Sequence, residues 1–121
     1  MTKQFTLLQL FSLVDGRLST SMDDVYDMLN HICDEEGLMT HHLPVAMKYL
    51  KQKQPKWFAE VTNDLHRIGC IDKNTNFNEC LTFIKKNNMV YDIPQLKDEF
   101  NTSDFGNFMV DNSLLLQAFA N

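Results

Sequence analysis

The sequence predicts an all-α fold, an irregular bundle of about five to six short helices with a less regular C-terminal third. Three observations predict it. Apolar residues recur at helical spacing in successive segments from Leu7 to Ile84. Several of those segments open on residues suited to an N-cap. Gly, Pro and Asn punctuate the gaps between them. With 121 residues and 44% hydrophobic content, the chain is long enough to bury one core and too short for two ordinary ones, so a single domain over residues 1–121 is expected.

The first helix is expected from about Leu7 to Val14. Thr6 is its N-cap, Gln9 completes a capping box, and Phe5 is placed to staple against Leu10. The residues before it read as polar-interrupted helix, and Gly16 marks its end. Ser21 or Thr20 caps the second helix, where Met22, Val25, Met28, Leu29 and Ile32 share helical spacing. Asp23 and Asp24 suit the positive end of its dipole, and Gly37 is expected to close it after an acidic turn.

Thr40 is the cap expected for the third helix, with Pro44 tolerated in its first turn. Leu43, Ala46, Met47 and Leu50 form one apolar face there, and Lys48, Lys51 and Lys53 lie outside it. Pro55 marks either a kink or a fresh start. Trp57, Phe58, Val61, Leu65 and Ile68 then make a fourth helix closed by Gly69. Asn76 with Glu79 repeats the capping-box pattern ahead of Phe77, Cys80, Leu81 and Ile84, a fifth helix ending near Asn87 and Asn88. Beyond it, Met89 to Ile93 reads as a short extended piece before Pro94, Asn101 to Asn107 as turn-rich coil, and Ser113 to Phe119 as a last short helix.

The net charge of −5 is unevenly spread. Residues 1–40 carry Asp15, Asp23, Asp24, Asp27, Asp34, Glu35 and Glu36 against only Lys3 and Arg17. From His41 to Lys86 the sign reverses, with Lys48, Lys51, Lys53, Lys56, Arg67, Lys73, Lys85 and Lys86 outnumbering the acids, and the tail is acidic again. Such asymmetry steers partners, although solubility alone also produces mixed surfaces. No apolar run approaches the roughly 20 residues that span a bilayer, and no signal-peptide pattern opens the chain. A soluble cytoplasmic protein with no membrane partner is expected. Cys33, Cys70 and Cys80 are odd in number and widely spaced, the usage of reduced thiols. A Cys70–Cys80 disulfide is weighed below small buried side chains.

Candidate chemistry is sparse. His31, Cys33, His41 and His42 match no compact zinc spacing, and adjacent histidines on a helix diverge, so cap and surface roles are preferred and no metal is expected. His66 and Cys70 lack an orienting third residue for nucleophilic catalysis. Asp104-Phe105-Gly106 spells a kinase magnesium motif without the glycine-rich loop, strand lysine or catalytic loop that give it meaning. Asp23, Asp24 and Asp27 are explained by capping and helix dipole. No enzymatic activity and no cofactor are expected, and folding should need neither metal nor disulfide. A helix-turn-helix reading would bring Thr40, His41, His42, Lys48 and Lys51 to DNA. The acids of the preceding helix and turn, and a pI of about 5.2, oppose it.

The segments F-T-L-L-Q-L, D-G-R-L-S-T, M-D-D-V-Y-D-M-L-N and T-H-H-L-P-V-A, within Phe5 to Trp57, resemble a family of small proteins of bacteriophages and prophages that carries no assigned activity. The resemblance implies an origin in a phage or mobile element and transfers no functional residue. Small acidic phage proteins without catalytic signatures frequently bind host proteins, defence components such as CRISPR–Cas complexes among them. The leading expectation is an anti-CRISPR-like inhibitor that binds a host protein, with Asp23, Asp24, Asp27, Asp34, Glu35 and Glu36 opposing basic residues of the target. The alternatives are a DNA-binding phage regulator acting through His41, His42, Lys48 and Lys51, and a virion or assembly accessory protein.

Overall fold

Thr6 ends one element and caps the next. In the computed structural model, which describes residues 1–34, 42–70, 76–100 and 107–108, the chain opens with strand β1 (Thr2–Thr6) and passes directly into helix α1 (Leu7–Val14). Gln9 N–H donates to Thr6 Oγ1 at 3.2 Å, and Gln9 Oε1 accepts from Thr6 N–H at 2.9 Å, the expected capping box. The two N–H groups that this box leaves open are met from the far end of the chain. Leu7 N–H donates to the Met89 carbonyl at 2.8 Å and Leu8 N–H to Asn88 Oδ1 at 3.2 Å. The first turn of α1 is thereby fully satisfied, which a largely buried helix requires.

Helices α2 (Met22–Cys33), α3 (Leu43–Lys53), α4 (Lys56–Arg67) and α5 (Phe77–Lys86) follow, then strand β2 (Val90–Pro94) and a 3-10 helix over Leu96–Asp98. α1 is the centre of the bundle. It packs against all four other helices and buries Leu7, Leu10, Phe11, Ser12 and Leu13. Around it, Met28, Leu29 and Ile32 of α2, Ala46, Tyr49 and Leu50 of α3, Trp57, Phe58, Val61 and Leu65 of α4, and Cys80 and Ile84 of α5 complete one core, which Phe5 and Ile93 of the strands also join.

The expected all-α fold is corrected to a mainly helical one. β1 and β2 form a two-stranded antiparallel sheet with Phe5 opposite Tyr91 and Lys3 opposite Ile93. The extended piece expected within Met89 to Ile93 is one strand; the N-terminal residues that read as helix are its partner. A five-residue segment in which only Phe5 is buried offers no two-residue periodicity, and its partner lies more than eighty residues away. His31 ties this sheet to α2: its Nε2 lies 2.8 Å from the Ile93 carbonyl, and an acceptor there makes Nε2 the proton-bearing nitrogen.

Helix ends follow local chemistry. α2 stops at Cys33, before the expected Gly37, because Asp34 takes a left-handed conformation (φ 54°, ψ 45°) and its carboxylate is held by Lys97 Nζ at 2.9 Å and Gln95 Nε2 at 3.1 Å. Pro44 does fall in the first turn of α3. Asn76 caps α5 by accepting from Glu79 N–H. Gly37, Thr40 and the helix expected over Ser113 to Phe119 lie outside the described residues, as does the coil expected from Asn101 except for Asn107, which is helical with Phe108.

α4 closes on Gly69 as expected. Gly69 N–H donates to His66 O at 3.1 Å and Cys70 N–H to Leu65 O at 2.8 Å, the paired bonds of a Schellman motif. Gly69 sits at φ 102°, and an added Cβ would meet the Phe83 ring at 3.3 Å. Gly16 has a similar φ of 94° with open space around it. Gly69→Ala is therefore expected to cost about 1–3 kcal/mol, and Gly16→Ala only the backbone share of about 1 kcal/mol. Urea denaturation of the two variants checks the order.

Candidate functional site

The turn between α1 and α2 is built by the D-G-R-L-S-T segment, and the structure assigns each of its polar residues a structural task. Asp15 caps α1, and Gly16 reverses the chain at positive φ. The Arg17 guanidinium forks onto Asp15, with Nε to Oδ1 at 2.6 Å and Nη2 to Oδ2 at 3.1 Å. It also stacks between Phe11 and Phe77, whose ring centroids are 5.7 and 5.5 Å away. Ser19 Oγ donates to the Leu8 carbonyl while its N–H donates to Ser12 Oγ at 2.9 Å. Thr20 hydroxyl bonds the Asp24 carboxylate, and Ser21 Oγ accepts from Asp24 N–H at 3.1 Å.

That scaffold leaves one residue without an inward task. Leu18 is 49% exposed, and Met22, one turn of chain later, is 42% exposed. Both line a groove of about 260 Å³ whose walls are completed by Val25 of α2 and by Leu43, Pro44 and Met47 of α3. Helical spacing groups Met22 with the apolar face of α2; the structure sets it at the edge of that face, on the surface. Leu18 carries only one faint signal in the sequence, a large aliphatic side chain inside an otherwise polar turn. Unbranched methionines on two walls give the groove an adaptable lining.

The acidic residues expected to meet a partner are placed unequally. Asp23 is exposed beside Met22. Asp24 serves the α2 cap as described. Asp27 lies 3.5 Å from Lys3 Nζ, and Asp34 pairs with Lys97 at 2.9 Å; the Lys97 ammonium holds the Asp34 carboxyl below its usual range, with a smaller contribution from Gln95. Both ion pairs are open to solvent. Water screens ion pairs this exposed, so a partner's cations can exchange into them. Glu35, Glu36 and His41 lie outside the described residues.

Of the alternative nucleic-acid set, His42 is the half-buried N-cap residue of α3. Lys48 and Lys51 are exposed one helical turn beyond Pro44 and Met47, so they extend the α3 wall of the groove. Neither joins an ion pair among the described residues. In the sequence, α2 ends at Cys33 and α3 begins at Leu43, a wider separation than the three- or four-residue turn of a helix-turn-helix. A second, open cleft of about 460 Å³ is lined by Arg67, Ile68, Lys86, Asn87, Asn88 and Met89, and Arg67 is already paired with Asp64 at 2.7 Å.

The half-buried Tyr91 phenol and the buried Cys70 thiol have perturbed protonation. Burial pushes the Tyr91 phenol up, and its bond to Asp64 Oδ2 at 2.5 Å adds to this. Burial likewise pushes the Cys70 thiol up to about 12, with Cys80 as the next cause. Both groups hold their protons more tightly folded than unfolded. Their contribution is therefore complete below the unfolded values of 9.0 for the thiol and 10.0 for the phenol and is lost as pH rises through the higher folded values. The urea midpoint should fall from about pH 9 upward, and Tyr91→Phe should flatten that slope; a midpoint unchanged to pH 11 would contradict it.

The geometry describes a mainly helical domain presenting an apolar, charge-flanked groove between two helices and a turn. Residues 5–64 match a family described as a domain of unknown function, DUF7736, a span that holds β1 from Phe5, α1 to α3 and most of α4, with every groove residue inside it. No curated protein and no solved structure matches the chain. No described helix is long and apolar enough to cross a membrane.

Proposed function

We propose that this is a small non-enzymatic protein of phage or mobile-element origin that binds a host protein and inhibits it. It works in the cytoplasm of a bacterial host, and its target class is a nucleic-acid-binding defence complex, as for an anti-CRISPR protein. The observation that carries the binding reading is the groove: two large apolar side chains, Leu18 of the α1–α2 turn and Met22 of α2, are exposed at its rim. Exposed apolar surface gathered in a concave site marks an interaction surface more often than an accident of folding. The phage origin and the inhibitory role rest on the resemblance over residues 5–57.

Asp23 beside the groove, and the exchangeable carboxylates Asp27 and Asp34, complement a basic target surface, which fits a partner that itself handles nucleic acid. Lys48 and Lys51 favour the second reading, a DNA-binding regulator, because they are exposed on one helix and join no ion pair among the described residues. Affinity capture from the native host separates the two. The wild-type protein should retain a host protein that a Leu18→Glu, Met22→Glu variant does not retain, and the purified target should lose activity in the presence of the wild type alone. Retention of duplex DNA in place of a protein would favour the regulator.

A further inference from the structure

We propose that Cys70 and Cys80 are a reversible redox pair that closes into an intramolecular disulfide joining the end of α4 to α5. Both are free thiols here. Cys70 is the last residue of the Schellman motif of α4, fixed by its N–H bond to Leu65, and its Sγ reaches the Cys80 carbonyl at 3.7 Å. Cys80 lies on the inner face of α5 with no exposure, whereas Cys70 retains 7%. The Arg17 guanidinium stands 3.9 Å from Cys80 Sγ, locked in place by Asp15 and the two phenylalanine rings. The Cys70 thiol, just past the end of α4, interacts with the Cys80 side chain in the first half of α5, and a fixed cation stands at Cys80, an arrangement that packing of small side chains does not require.

The oxidant is a low-molecular-weight disulfide. Cys70, the more accessible sulfur, loses its proton to solvent and attacks one sulfur of that disulfide, expelling one small thiolate and leaving a mixed disulfide on the protein. Cys80, its proton also released to solvent, then attacks the Cys70 sulfur and expels the second small thiolate. Two protein thiols are oxidised and one external disulfide is reduced to two thiols. Arg17 supplies the counter-charge while negative charge resides on the Cys80 sulfur. In a reducing compartment the dithiol is the resting form, and the disulfide forms when the small-thiol pool is oxidised.

The full chain is incubated, folded, with oxidised glutathione and followed by intact mass and by non-reducing peptide mapping. The expected product has lost about 2 Da, carries a Cys70–Cys80 cross-link and reverts with dithiothreitol. Cys33→Ser should behave as wild type; Cys70→Ser and Cys80→Ser should form no such product. Because burial holds the Cys70 proton, the rate should climb about tenfold per pH unit between pH 7 and 9 without levelling. A cross-link that forms only in denaturant, or one that involves Cys33, would overturn the proposal.

Discussion

Trp57→Ala is expected to lower the unfolding free energy by about 3–5 kcal/mol, the range for deleting a buried tryptophan ring. Trp57 begins α4, retains only 4% of its exposure and meets the Phe58 ring edge-on at 5.7 Å. The ring belongs to the one hydrophobic core cluster, so its removal leaves a cavity in that core. Its helical spacing with Val61, Leu65 and Ile68 suits Trp57 to anchor the core or a partner groove. Its burial decides for the core. A chemical-denaturation curve for the variant checks this, and unchanged stability with lost partner binding would return Trp57 to the surface.

Leu18→Glu combined with Met22→Glu is expected to have the opposite profile. Both side chains are exposed in the free protein, so stability should change by no more than about 1 kcal/mol. Partner affinity should fall at least about a hundredfold, because two carboxylates would be forced into an apolar groove that a partner must dehydrate. Asp23→Lys should weaken binding less, and mainly through the association rate, since an exposed rim charge acts by steering.

Local chemistry made much of the helical part legible. Thr6 with Gln9, Ser21 ahead of Met22 and Asn76 ahead of Glu79 are caps whose partners lie three residues away, and each forms the bond its spacing implies. What stayed hidden depends on distant partners. β1 exists because Val90 to Pro94 lies alongside it, and α2 ends at Asp34 because Lys97 and Gln95 hold that carboxylate. The same reason hid the groove. Met22 fits the helical spacing of α2 as well as Met28 does, and only the placement of α3 and the Asp15–Arg17 turn reveals that one is exposed and the other buried. The acidic side chains were legible as a cluster but not as pairs, since Lys3 and Lys97 reach Asp27 and Asp34 across the fold.

Protein binding at the Leu18–Met22 groove distinguishes an inhibitor from a DNA-binding regulator. Its most direct test is a fluorescence titration of the wild type, the Leu18→Glu, Met22→Glu variant and a Lys48→Glu, Lys51→Glu variant, against the captured host protein and against a random DNA duplex, at two salt concentrations. Binding to the host protein should be saturable, lost in the groove variant and kept in the lysine variant. Binding to the duplex that falls steeply with salt and disappears with Lys48 and Lys51, while the groove variant binds as the wild type does, would contradict it.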